Sequence, residues 1–300
     1  MSRSRVVVLV LAVTLMAAAF PAGAKPRVDA RPDAPEDVEQ LAVFADFNGD
    51  NLRDLAIGAP TEDFGSIVDA GAISIFYGVA AGSGLPIVSQ TLVQGNPEAG
   101  DHFGAALEAG FFNNDNFYDL VVGVPGENLG ATADAGAVNV FFGSAGGLPV
   151  TSQVLVQDNP EAGDQFGAAL ATGFIDGNFY DLVVGAPGEN VGAAVDAGAA
   201  NIFPTDSTGV LPPVSGPALL QDNPEAGDQF GAALTAKFLD GGFLFDVVVG
   251  APGENVGATV DAGAANVFTN PSGMVPAVSN QTLLQGNPEA GDQFGAALDV

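Results

Sequence analysis

No cysteine and no tryptophan occur in these 300 residues, and histidine occurs once, at position 102. Without cysteine there is no disulfide framework and no lipid-attachment thiol. One histidine and no cysteine leave Ser-His and Cys-His nucleophile pairs without support. Basic side chains are nearly as scarce, with 7 Lys+Arg against 36 Asp+Glu and a formal charge of −29. Nucleic acid and anionic lipid surfaces require basic patches, so this chain would repel both. Cations, basic partners or a saline habitat fit the sign, and most of the acids serve solubility. Helical periodicity is missing too. After residue 40 no stretch sustains apolar residues at i, i+3, i+4 and i+7 over a helical length.

The one long apolar run, residues 6–20, follows Arg3 and Arg5 and leads into Ala22-Gly23-Ala24. That order reads as a signal peptide over 1–24, cut after Ala24. The alternative is an N-terminal anchor, but the run is shorter than the ~20 residues of a spanning helix. Cleavage removes two arginines and no acid, deepening the charge by two from −29 to −31. The expected location is outside the cytoplasm, extracellular or periplasmic, with no membrane insertion after cleavage. Residues 25–37 are polar and proline-rich and read as a flexible leader.

What the chain has in abundance is repetition. "NPEAGDQFGAAL" is spelled identically at 159–170, 223–234 and 287–298, and with one change at 96–107. Its glutamate (Glu98, Glu161, Glu225, Glu289) recurs at intervals of 63, 64 and 64 residues. Within each unit lie four short apolar runs rich in β-branched and aromatic residues, closed by Gly, Pro, Asn or Asp, which is the strand signature. Four-stranded units in tandem predict an all-β chain, a β-propeller whose blades are about 38–95, 96–158, 159–222 and 223–286, with 287–300 a partial fifth. A β-solenoid is the alternative, although its coils are usually shorter. In each dodecamer "NPEAGDQ" is expected to link blades and "FGAAL" to form the next inner strand. There Phe would wedge between blades and Gly permit close backbone approach.

"FGAAL" followed by "DLVVGAPGE" resembles the FG-GAP repeat, the blade motif of integrin α-subunit propellers and of many secreted bacterial proteins. The FG pairs are Phe103-Gly104, Phe166-Gly167, Phe230-Gly231 and Phe294-Gly295; the GAP triplets begin at Gly58, Gly185 and Gly250, with a Gly-Val-Pro variant at Gly123. The resemblance covers roughly 38–300, and the first unit departs from it, with Val38-Glu39 in place of Phe-Gly. It implies an extracellular, calcium-binding, non-catalytic interaction module.

One constellation carries chemistry. In "DFNGDNLRDL", Asp46, Asn48, Asp50 and Asp54 occupy positions 1, 3, 5 and 9, with the Leu52 carbonyl at 7. Hard oxygen donors at that density suit Ca²⁺. Asn51 stands where such loops carry glycine, and asparagine tolerates positive φ. The second unit keeps Asn113, Asp115, the Phe117 carbonyl and Asp119 but has Phe111 in place of the first carboxylate, a weaker and degenerate site. In the third and fourth units the spacing has shortened or the donors have gone, and phenylalanines replace them. These loops are expected to close by apolar packing without metal. His102 and the recurring Asp69, Asp134, Asp196 and Asp261 read as turn residues.

The expectation for function is therefore a secreted or cell-surface propeller, not an enzyme, that binds a protein or glycan through its loops. The alternatives are a structural envelope or matrix protein, or the accessory propeller of a hydrolase. Blades ending without a neighbour would be sticky, so the array either stays an incomplete arc that self-associates or closes as a small four-bladed ring.

Overall fold

The computed structural model describes residues 41–300 except 81, 84–89, 178, 206–210, 213–217, 240–241, 271–278, 280 and 299–300. The expected signal peptide and leader, and Val38-Glu39, lie outside the described residues. These residues form four separate four-stranded antiparallel sheets, each a simple meander. Blade one is β1 (Ala42–Ala45), β2 (Asp54–Ala59), β3 (Ala72–Phe76) and β4 (Gln90–Leu92). Blade two is β5 (Leu107–Gly110), β6 (Asp119–Val124), β7 (Ala137–Phe141) and β8 (Gln153–Leu155). Blade three is β9 (Leu170–Gly173), β10 (Asp181–Ala186), β11 (Ala199–Phe203) and β12 (Ala218–Leu219). Blade four is β13 (Ala233–Lys237), β14 (Asp246–Ala251), β15 (Ala264–Phe268) and β16 (Gln281–Leu283). Among the described residues no helix is long and apolar enough to cross a membrane.

The inner strands follow one another in space as in sequence, β1 beside β5, β5 beside β9 and β9 beside β13. The blades form an open arc. Its hydrophobic cores lie between sheets: Ile73 and Ile75 of blade one pack with Leu120 and Phe141 of blade two, and the same pattern joins each later pair. A sheet covered on both faces reads as a continuous apolar run, and β6, β10 and β14 are buried at every position. In blade one, which among the described residues has a neighbour on one side, β2 and β3 alternate buried and less buried positions. The far face of blade four is covered by the last dodecamer, whose Phe294 and Leu298 pack on Val248, Ala265 and Val267.

The Phe-Gly pair makes the joint between blades. Phe103 is fully buried, its ring edge-on to Phe141 at 6.1 Å, and Phe166–Phe203 and Phe230–Phe268 repeat the contact at 5.8 and 6.0 Å. The expectation that the whole "FGAAL" is strand is corrected here. Phe103 donates its N–H to Ala70 of the preceding blade, Gly104 turns at φ 92°, and the strand starts only at Leu107. The Phe N–H is spent on the preceding blade while the Gly104 N–H already bonds Gly123 of its own sheet, so the pair straddles the joint instead of continuing the strand.

The GAP glycine is the other half of the joint. A methyl group at Gly58 would lie 2.1 Å from the Gly104 oxygen of the next blade. At Gly123, Gly185 and Gly250 it would lie 2.0, 2.0 and 1.9 Å from the oxygens of Gly167, Gly231 and Gly295. No Cβ fits at such distances. The two halves of the motif recur together because they touch, one blade apart.

Candidate metal centre

The acidic loop of blade one lies between β1 and β2. Gly49 and Asn51 take φ of 71° and 65°, as the tight curl requires. Asp46 accepts the N–H of Asp50 (3.1 Å) and of Asn51 (2.9 Å), Asn48 Oδ1 that of Asp50 (3.0 Å), and Asp50 Oδ1 that of Leu52 (2.8 Å). Asn48 Nδ2 donates to Asp50 Oδ2 at 3.1 Å. The loop thus gathers the oxygens of Asp46, Asn48 and Asp50 on its exposed side around its own amides. In blade two Asn113 and Asp115 make the same pattern, with Phe117 N–H donating to Asp115 at 2.8 Å.

Asp54 is placed differently. It is fully buried, and its two oxygens accept the N–H of Phe47 and of Gly78, both at 2.8 Å. Burial pushes its carboxyl up to about 6, with Asp46 and Asp50 adding repulsion, while the two amides pull the other way. Asp119 does the same in blade two with Phe112 and Gly143, Asp181 in blade three with Ile175, Asp176 and Thr205, and Asp246 in blade four with Leu239 and Asn270. Each aspartate clasps the turn after the first strand to the residue two beyond the third. Recurrence in blades three and four, whose loops have lost their donors, means the clasp accounts for this aspartate without a cation. Sequence reading assigned Asp54 and Asp119 to metal alone and missed this role. The signal was there, in an aspartate that persists before every "LVVGAP"-like strand.

Among the described residues no three His, Cys, Asp or Glu side chains converge closely enough to hold an ion. The donor chemistry still suits a hard cation, since Asp46, Asn48 Oδ1, Asp50 and the Leu52 carbonyl are oxygen donors within one loop.

Phenylalanine fills the vacated first position, as expected. Phe111 stacks on Tyr118 of its own loop at 4.1 Å and meets Tyr180 of the next blade at 5.8 Å. Phe174 repeats this with Tyr180 and Phe245 at 4.4 and 6.2 Å, and Phe238 packs on Phe245 at 4.3 Å. An aromatic ladder runs across blades two to four where blade one has charge. Phe174→Ala, in the middle of it, is expected to cost about 2–3 kcal/mol, below the usual loss for a fully buried ring. Urea unfolding of the variant checks it.

The turn residues also behave as read. Asp69, Asp134, Asp196 and Asp261 sit at φ 50–53°, and His102 at 56° occupies the slot of Gln165 and Gln229. Between these turns lie two clefts offset by one blade. One, about 460 Å³, is lined by Gln165, Pro187, Asp196 and Gln229; the other, about 330 Å³, by His102, Pro125, Asp134 and Gln165.

Comparison with known proteins agrees with this architecture. The FG-GAP repeat matches residues 40–76. Integrin alpha-PS5 of Drosophila melanogaster is 38% identical over 154 residues, covering 49% of this chain and 14% of that protein. Integrin alpha-5 of Xenopus laevis is 32% identical over 168 residues, covering 50% and 15%. Phosphatidylinositol-glycan-specific phospholipase D of Rattus norvegicus is 32% identical over 155 residues, covering 49% and 18%. The chain spans less than a fifth of the length of these relatives.

Proposed function

The chain is built from FG-GAP repeats, and on that premise we propose that it is a non-catalytic interaction module, exported from the cytoplasm, that binds a protein ligand across its loop face. The observation that carries this is the pair of clefts between successive Phe-Gly turns. They repeat with the blades and are lined by exposed Asp and Gln over a Pro-Gly floor, a surface suited to hydrogen bonding an extended ligand. The buried aspartates, by contrast, accept backbone amides in clasps and joints, which supports a structural role for them. Similarity to integrin alpha subunits supports an adhesive role. Similarity to phospholipase D supports a second reading, an accessory propeller that serves a hydrolase.

Calcium belongs to the same proposal. Asp46, Asn48 and Asp50 with the Leu52 carbonyl would hold it, and when bound it supplies charge neutralisation that stiffens the loop. Extracellular modules bind calcium at about 10⁻⁴–10⁻³ M, so millimolar calcium is expected to raise the melting temperature by mass action. Asp46→Ala with Asp50→Ala is expected to abolish that shift while lowering the calcium-free melting temperature by only a few degrees, because Asp50 is exposed, Asp46 half-buried, and the amides they release lie on a solvent-facing loop. Calorimetry showing undiminished binding to the double variant would remove the site.

The ligand claim is tested by immobilising the exported protein and probing it with extracellular matrix proteins and glycans, with calcium and with chelator. A protein probe retained by the parent and lost on Asp134→Arg with Asp196→Arg supports the reading. Retention of nothing, or equal retention by that variant, contradicts it.

A further inference from the structure

We propose that each interblade linker is locked to the blade that follows it by one proton shared between two carboxyl groups, Asp101 with Glu127, Asp164 with Glu189 and Asp228 with Glu254, so that acid tightens the stack and alkali loosens it. The three pairs occupy equivalent places. Each aspartate belongs to a "NPEAGDQ" linker and each glutamate to the loop after the second strand of the next sheet.

The geometry is that of two acceptors meeting. Asp101, Asp164 and Asp228 are fully buried. Their Oδ2 atoms accept the N–H of Glu98, Glu161 and Glu225 at 2.5, 2.5 and 2.6 Å. Gln157 Nε2 donates to both carboxylates of its pair, to Asp164 Oδ2 at 2.8 Å and Glu189 Oε2 at 2.5 Å. At the other two joints Gln94 donates to Glu127 and Gln221 to Glu254. At the Asp164–Glu189 joint one amide draws two carboxylates together and leaves too few hydrogens for the oxygens present. The Oδ1 atoms of Asp101, Asp164 and Asp228 are buried with no partner. Ionised carboxylates only accept, so two of them in contact need one more hydrogen between them.

The charges around each pair reinforce this. Glu98, Glu161 and Glu225 stand beside the aspartates, held by Asn128, Asn190 and Asn255 at 2.9, 2.9 and 3.1 Å. At the first joint burial raises Asp101, Glu98 and Asp134 add to it, and His102 opposes it. Glu127 there is raised by burial, with Asp101 and Glu98 adding repulsion against the Gln94 amide. Burial pushes Asp164 up to about 7, with Glu189 and Glu161 adding repulsion, and raises Glu189. Burial with Asp228 and Glu225 pushes Glu254 up to about 7, and Asp228 is raised as well. The two bases among the described residues, Arg53 and Lys237, are not among the charges bearing on these acids. The fourth linker is the built-in comparison. Asp292 makes the same bond to Glu289 N–H at 2.6 Å but is exposed, with no such glutamate loop against it among the described residues.

The folded stack keeps protons that the unfolded chain releases near its ordinary carboxyl range. The stabilisation is therefore complete below about pH 4 and is lost as pH rises through about 7. Buried clasps such as Asp119 and Asp181 act in the same direction, so the test is a difference between proteins. In the triple variant Glu127→Gln, Glu189→Gln and Glu254→Gln, an amide supplies the missing hydrogen at every pH. Melting of the whole chain at pH 5 and pH 8 is expected to show a drop smaller by at least ~5 °C in the variant, which melts above the parent at pH 8. The infrared band of protonated carboxyl groups at pH 7 is expected to weaken in the variant. Equal drops in the two proteins would overturn the proposal. So would a calcium-dependent gain at pH 8 that survives Asp46→Ala with Asp50→Ala but not the triple substitution, since a cation would then be the lock. If the triple variant does not fold, Glu189→Gln alone decides by the same band: partial loss supports the shared proton, and an unchanged band overturns it.

Discussion

Gly123→Ala is expected to destabilise the protein by about 3 kcal/mol or more, the upper range for forcing a methyl group into a packed site. The added carbon would stand 2.0 Å from the Gly167 oxygen, which is backbone and held in place. Gly167 donates its own N–H to Gly185, so moving it strains the next sheet as well. The melting temperature is expected to fall by ~6–12 °C for a chain of this size. Two controls separate the joint from glycine in general. Gly95→Ala meets nothing within 4 Å and has no positive φ, so it is expected to be neutral or to gain a few tenths of a kcal/mol. Gly163→Ala also has open space but sits at φ 87°, so about 1–2 kcal/mol is expected from backbone alone. Thermal melts of the three variants should rank in that order, with Gly123→Ala lowest.

Asp181→Ala carries the second large effect. It strips an acceptor from three amides, Ile175 at 3.1 Å and Asp176 and Thr205 at 2.9 Å, of which Ile175 keeps another, the Gly173 carbonyl at 3.1 Å. A buried amide left unpaired costs about 1–3 kcal/mol, so a loss above ~3 kcal/mol is expected, and calcium should not restore it. Asp181→Asn keeps one acceptor and turns a second into a donor facing an N–H, so it should recover only part of the loss. Equilibrium unfolding with and without calcium checks both. Asp54→Ala is expected to behave the same way in blade one. Loss of calcium binding on mutating Asp54 would therefore confuse a broken clasp with a lost ligand, whereas Asp46 and Asp50 keep the two apart.

The blades were legible from the chain because strands announce themselves locally. A run such as "DLVVGA" is apolar, β-branched and bounded by turn formers whatever packs on it. The role of Phe in "FGAAL" was legible as well, since an aromatic repeated at every junction has a neighbour to fill. Its departure from the strand was not, because that depends on Ala70, 33 positions earlier, accepting its N–H. The loop of Asp46, Asn48 and Asp50 could be read from spacing, and its left-handed Asn51 from residue type. Asp54 was read only as a ligand, since its partner Gly78 lies 24 residues away and nothing in the motif points to it. The carboxyl pairs at the joints were hidden for the same reason. Gln94 and Glu127 are 33 residues apart and become neighbours only when a linker folds onto the following blade.

The central claim is that the blades are fastened in series by Phe-Gly pairs bonded to the blade before them. Native-state hydrogen exchange tests it amide by amide. The N–H groups of Phe103, Phe166 and Phe230 donate to Ala70, Ala135 and Ala197 across the joints at 3.1, 3.1 and 3.0 Å. These three amides are expected to be protected to the same degree as central-strand amides such as Val121 and Val183, and to lose that protection together with the strands in Gly123→Ala. Exchange at the rate of an open turn such as Gly95, in a protein whose strands remain protected, would contradict the account.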